Sequence, residues 1–325
     1  MDQIPALFTE SVLSLLRVCL NKFDLPNLAR LNCRLWDEQN FTRPTSCSLF
    51  IYPLESNSQE ISYKFTVNDK RTRLEDFREQ NAIMWNVDLG WPTFFSGDVR
   101  YLPQATCDDA FIARLKWILA RQGCVFFRCY LNPEAHEELL ARLLSAIPHS
   151  FLSIDIEFSS ELAENFILET SKHQQIKELR LQETRKYGAR LDQLVNRMFL
   201  CPATHFLQIE QYHNPFTLQT FETLIERWIA NPERWTCEFF GTTVPIDFDP
   251  QSLNKYVKHL TTGHRDYFAR KVSIGGHIME LFYYPSTRCC RIMLSRPAQN
   301  EYSLFLSRAE EAYHKSNRPL GDFVF

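Results

Sequence analysis

The chain has 325 residues, 45% of them hydrophobic and 23% charged, with a formal net charge of −3. That balance excludes a disordered or fibrous chain and allows one large domain or two to three small ones. Near-neutral charge offers no general attraction to nucleic acid, and 26 phenylalanines against 9 glycines promise ample core but few glycine-rich ligand loops.

The first residues, Met1-Asp2-Gln3-Ile4-Pro5, show neither the basic start nor the unbroken apolar run of a secretory signal. Apolar stretches along the chain are broken by charge before the roughly 18 residues that a bilayer requires. The 10 cysteines have no paired spacing, and several stand where a small apolar residue is wanted. A reducing compartment, cytoplasm or nucleus, and no membrane contact are expected.

Residues 4–40 carry two helical patterns. Val12, Leu13, Leu15, Leu16 and Leu20 form the first, opened by Pro5. Leu25, Leu28, Leu31, Leu35 and Trp36 form the second, which Asp24 can cap. Helices this short bury too little surface to stand alone, so they must dock on a partner or a neighbouring domain.

Residues 48–52 and 61–67 alternate as strands around a polar turn at 55–59. The segment 81–102 is rich in aromatics (Trp85, Trp91, Phe94, Phe95, Tyr101), with a degenerate strand near Val87. Phe111, Leu115, Ile118 and Leu119 then mark an amphipathic helix behind Asp108-Asp109.

Between 124 and 240 a strand signature recurs: an apolar or small residue, two spacers, an apolar residue, one spacer, an apolar residue. The instances are Cys124/Phe127/Cys129, Phe151/Ile154/Ile156, Ile176/Leu179/Leu181, Thr204/Leu207/Ile209 and Pro232/Trp235/Cys237, starting 27, 25, 28 and 28 residues apart. Helix faces lie between them at Leu140/Leu143/Leu144/Ile147, Leu191/Leu194/Val195/Met198 and Phe221/Leu224/Ile225/Trp228. Asn132-Pro133 and Thr217 offer helix starts, and Pro148, Pro202 and Pro232 follow helix ends. One strand and one helix per 25–28 residues is the spacing of a leucine-rich-repeat-like α/β solenoid. A doubly wound α/β domain needs the same alternation and remains the alternative.

Beyond 250, a short helix is expected at 253–260. Strands follow at 272–274, 278–283 and 289–294, with Gly275-Gly276 as a hairpin turn, and an amphipathic helix at 301–315 closes the chain. The organisation expected is thus a helical unit at 1–40, a repeat region with a β-rich entry at 41–250, and a β-meander with a helix at 251–325.

No nucleophile elbow, phosphate loop, dinucleotide fingerprint or metal-binding histidine pair occurs, so no catalytic residue, metal or cofactor is expected. His136, His149, His173, His205 and His213 read as cap or surface residues, and Asp247/Asp249 as a solvated turn. Lys255, Lys258, Arg265, Arg270 and Lys271 form a basic cluster that is either a solvated face or a binding edge for an acidic partner.

At the N-terminus, Ile4-Pro5, Val12-Leu13, Leu16, Asp24-Leu25, Leu28 and Cys33-Arg34-Leu35-Trp36 resemble the F-box motif. The layout is similar to nematode F-box families with F-box-associated C-terminal regions. The resemblance implies docking to a Skp-type adaptor within a cullin-based ubiquitin ligase. Ile4, Pro5, Leu16, Leu28 and Trp36 stand at the motif's interface positions, and the repeat surface would hold a protein substrate. Two other readings of the residues stand beside it: a plain helical cap on the end of a repeat scaffold without a ubiquitin link, and a doubly wound enzyme.

Overall fold

The computed structural model describes residues 45–54, 59–78, 82–90, 101–120, 123–173, 175–182, 187–209, 214–235, 239–262, 265–272 and 276–295. The F-box-like residues, the aromatics Trp91, Phe94 and Phe95, His213 and the closing helix at 301–315 lie outside them. The chain is mixed α/β and divides into two compact units between Ile176 and Lys177.

The first unit opens with β1 (Thr45–Pro53) and β2 (Glu60–Val67), an antiparallel pair. Asn68 and Asp69 take positive φ in the two-residue turn to β3 (Lys70–Thr72), a conformation asparagine and aspartate tolerate. β4 (Ala82–Leu89) runs parallel to β1, and β5 (Gln104–Thr106) pairs with β2. Then come α1 (Asp109–Leu119), β6 (Gly123–Cys129), α2 (Pro133–Ala146), β7 (Ser153–Ile156) and α3 (Glu161–His173). β4, β6 and β7 are parallel neighbours in chain order. Side-chain oxygens of Asp108, Asn132 and Ser160 accept from the first-turn amides of the three helices.

Strand alternation sends one face of this sheet to the helices. Leu49, Val87, Phe127 and Ile154 stand side by side across four strands, each at most 1% exposed. The Phe127 ring lies 4.6 Å from Phe166 of α3 and 5.4 Å from Phe151. Burying a side chain of this size contributes about 1.5–3 kcal/mol, so this layer holds the unit together. Helix α3 has no sequence-based counterpart. Ala163 and Thr170 occupy two of its five buried positions, with Phe166, Ile167 and Leu168, which dilutes the apolar stripe. The buried Thr170 hydroxyl donates to the Phe166 carbonyl at 2.8 Å.

The second unit contains β8 (Glu178–Leu181), α4 (Ala189–Phe199), β9 (Phe206–Ile209), α5 (Leu218–Ala230) and β10 (Phe239–Pro245). β8, β9 and β10 are parallel neighbours in chain order, with Leu179 opposite Leu207 and Leu207 opposite Thr242. An antiparallel ladder continues the sheet through β14 (Cys289–Ser295), β13 (Ile278–Tyr284), β12 (Arg265–Val272) and β11 (Lys258–Thr262). β10 and β14 pair directly, joining residues on either side of position 250.

Two expected elements differ here. The fifth signature is not a strand at Trp235: Pro232–Arg234 is a 3₁₀ turn held by the Asn231 side chain, and the strand follows at β10. Proline at the first helical position and a capping asparagine favour a turn over an extended chain. Thr242 therefore occupies the place assigned to Trp235, which is buried at the end of that turn. The helix expected at 253–260 is a shorter 3₁₀ helix, Pro250–Lys255, started by Asp249, whose carboxylate accepts from the Gln251 amide at 2.9 Å. Residues 258–262 are strand β11.

Candidate functional site

The face of the first sheet that is turned away from the core row carries the charge. On β4, Asp88 sits between Val87 and Leu89. Arg128 on β6 sits between Phe127 and Cys129, and Asp155 on β7 between Ile154 and Ile156. With apolar neighbours inward, alternation turns all three charged residues to the opposite face. The register makes them direct partners, Asp88 with Arg128 and Arg128 with Asp155. Each is the next-to-last residue of its strand, at the carboxyl ends where open α/β sheets bind ligands.

Asp88 is 1% exposed, and among the described residues neither of its carboxylate oxygens has a hydrogen-bond partner. Its nearest counter-charge is the Arg128 guanidinium, 3.9 Å from Oδ2. Burial pushes the Asp88 carboxyl up to about 7. Arg128 opposes that shift and the charge of Asp155 adds to it. Tyr52, next to last on β1, is pushed up to about 12 by burial and by Asp88. Asp155 Oδ2 accepts from the Tyr130 hydroxyl at 2.8 Å. Glu157, beyond β7, is raised by burial and by Asp155. Phe50 lies opposite Asp88 with the Lys64 ammonium 5.5 Å from its ring centroid.

Chemically, the row is two acids on the strands either side of one arginine, with two tyrosines beside it. It can exchange a proton. Asp88 and Tyr52 are nevertheless closed to solvent, so no substrate touches them in this conformation. The sequence reading overlooked the row because each member is a lone charge inside an apolar strand. A signal exists all the same: Arg128 and Asp155 fill the single-spacer slot of the repeat signature, as do Arg180 and Gln208.

The basic cluster spans the end of the 3₁₀ helix and strands β11 and β12. Lys255 lies 2.7 Å from Glu222 of α5 and over the ring of Tyr256, whose hydroxyl donates to Glu226 at 2.6 Å. These contacts fasten the 3₁₀ helix to α5. Lys258 and Arg270 are register partners on β11 and β12, and Arg270 in turn faces buried Glu280. Arg265 is the register partner of Thr262 on β11, and Lys271 that of Met279 on β13.

Of the histidines, His149 packs 5.2 Å from Phe166 and stacks on His173 at 6.1 Å, with Nδ1 3.3 Å from the Thr170 hydroxyl. Because that hydroxyl donates to the Phe166 carbonyl, His149 Nδ1 is the donor to Thr170. Burial lowers the His149 pKa, and that of His136. Among the described residues no group of three metal-ligating side chains occurs, and no helix is long and apolar enough to cross a membrane.

Comparison with protein-family models, with curated proteins and with solved structures returns no match for this chain.

Proposed function

We propose that this protein is a non-catalytic substrate-recognition subunit of a cullin–RING ubiquitin ligase. Residues 1–40 serve as an F-box that docks on a Skp-type adaptor, and a leucine-rich-repeat-like α/β solenoid holds a protein substrate. The observation that carries the reading is strand order. Within each unit the parallel strands that are joined through a helix advance in one direction along the sheet, β4-β6-β7 and β8-β9-β10. Right-handed crossovers that advance one way keep their helices on one face. The other face is left free of those helices. A doubly wound sheet reverses direction and covers both faces.

Small helical anchors that fill a groove, joined to a broad adjustable surface, suit an adaptor that links two proteins. The F-box-like residues, Cys33-Arg34-Leu35-Trp36 above all, supply the link to ubiquitin. Affinity capture of the full chain followed by mass spectrometry tests it. Adaptor and cullin are the expected companions, and their absence counts against the proposal.

One observation favours a second reading, an α/β enzyme: the shifted acids and tyrosines gathered at strand ends around Asp88. The closure of Asp88 and Tyr52 to solvent weighs against it.

A further inference from the structure

The Asp88 row is unfinished as an ion-pair network. A carboxylate that is 1% exposed ordinarily accepts two or more hydrogen bonds, and Asp88 accepts none among the described residues. Its counter-ion stands at 3.9 Å, beyond hydrogen-bond reach, and the register pairs Arg128 with a second acid, Asp155. Of the neighbouring strands, β6 alone supplies an opposing charge near Asp88 among the described residues. From β1, Tyr52 offers an aromatic ring and a phenol that itself resists ionisation. From β2, Lys64 stands over Phe50, in the next row position but one from Asp88. From β6 comes Arg128, with Tyr130 just past the strand and bonded to Asp155. From β7 come Asp155 and, beyond its end, Glu157. A cationic ligand cannot reach a side chain so enclosed. A proton can.

We infer that Asp88 binds and releases a proton within the folded protein, and that this exchange sets the net charge of the row Asp88, Arg128 and Asp155. With the proton on, Asp88 is neutral and the three-residue row is electrically balanced. With it off, the row carries one excess negative charge, and the exposed flank of Arg128 is drawn towards Asp88. A partner lying on this sheet face meets a different charge above and below the transition. The inference rests on the row itself and not on the ubiquitin reading.

The direction of the linkage follows from the shift. Burial raises the carboxyl from 3.8 to about 7, so the folded protein binds the proton more tightly than the unfolded chain. Stability relative to a variant without the acid is constant below the unfolded value, falls as pH rises between the two values, and is constant again above about 7. Asp88→Asn keeps the shape and removes the titration. Unfolding of wild-type protein and this variant by denaturant, from pH 5 to 8, should show the variant's advantage growing towards tenfold per pH unit and levelling near neutrality. The carboxyl carbon resonance of Asp88 in the unaltered chain provides a second readout that needs no variant to fold. It should titrate near neutral pH, and Asp155→Asn should move that midpoint lower by removing a like charge. A pH-independent stability difference, a midpoint in the ordinary carboxylate range, or a midpoint indifferent to Asp155 overturns the inference.

Discussion

At the scale of single residues, two side chains distinguish bonding that is complete from bonding that is not. Arg114 of α1 is complete: Nε and Nη2 donate to the Leu74 carbonyl at 3.0 and 2.8 Å, Nη2 also reaches the Phe77 carbonyl at 2.6 Å, and the guanidinium lies 4.4 Å from the Trp117 ring centroid. It closes the 3₁₀ turn Leu74–Asp76 against the helix. Arg114→Ala removes these bonds, leaving the Leu74 carbonyl a long bond from the Phe77 amide and the Phe77 carbonyl that from Arg78, and should cost about 1–3 kcal/mol in denaturant unfolding. Arg114→Lys should recover only part of it, because an ammonium cannot fork to several carbonyls. Thr242 is the opposite case. It stands in the core row beside Leu207, 1% exposed, with a hydroxyl that has no hydrogen-bond partner among the described residues. Thr242→Val replaces that hydroxyl by a methyl of the same shape and should raise stability by about 1 kcal/mol. A loss of stability in the same unfolding assay would show that the hydroxyl is bonded in solution.

At the scale of elements, helix faces carry the second unit. Leu194 on α4 is 5% exposed and Ile225 on α5 fully buried. Leu194→Asp or Ile225→Asp places an unpaired carboxylate in the core, a cost of several kcal/mol that approaches the whole stability of a typical domain. Thermal melting followed by circular dichroism should show a loss of cooperative folding or a large fall in Tm. An unchanged transition would mean that these faces do not pack on the sheet. Both faces were legible in the sequence because their apolar spacing is unbroken, as were the strands around Phe127, Ile154, Leu179 and Leu207. Legibility failed wherever a polar residue took a core position. Thr170 interrupts α3, and Thr242 hides the core register of β10 while Trp235 imitates it seven residues earlier. Legibility failed again where meaning depends on register. Asp88, Arg128 and Asp155 are distant in sequence, and only strand pairing sets them side by side.

At the scale of the whole molecule, the account joins a helical anchor to an α/β repeat, and the N-terminal residues bear the heavier functional claim. As an F-box, residues 1–40 spend part of their apolar surface on a partner, so the remainder of the chain folds without them. As a plain cap they cover the repeat, so their removal exposes apolar surface and lowers the stability of the array. Changing Pro5 and Leu16 together to charged residues should mimic the deletion in binding without altering the melting transition. The most direct measurement is adaptor capture and melting temperature on the same two proteins, the full chain and the chain lacking residues 1–40. The account expects a Skp-type adaptor with the full chain, none with the truncated one, and nearly equal melting temperatures. No adaptor on the full chain, or undiminished capture by the truncated chain, would contradict it.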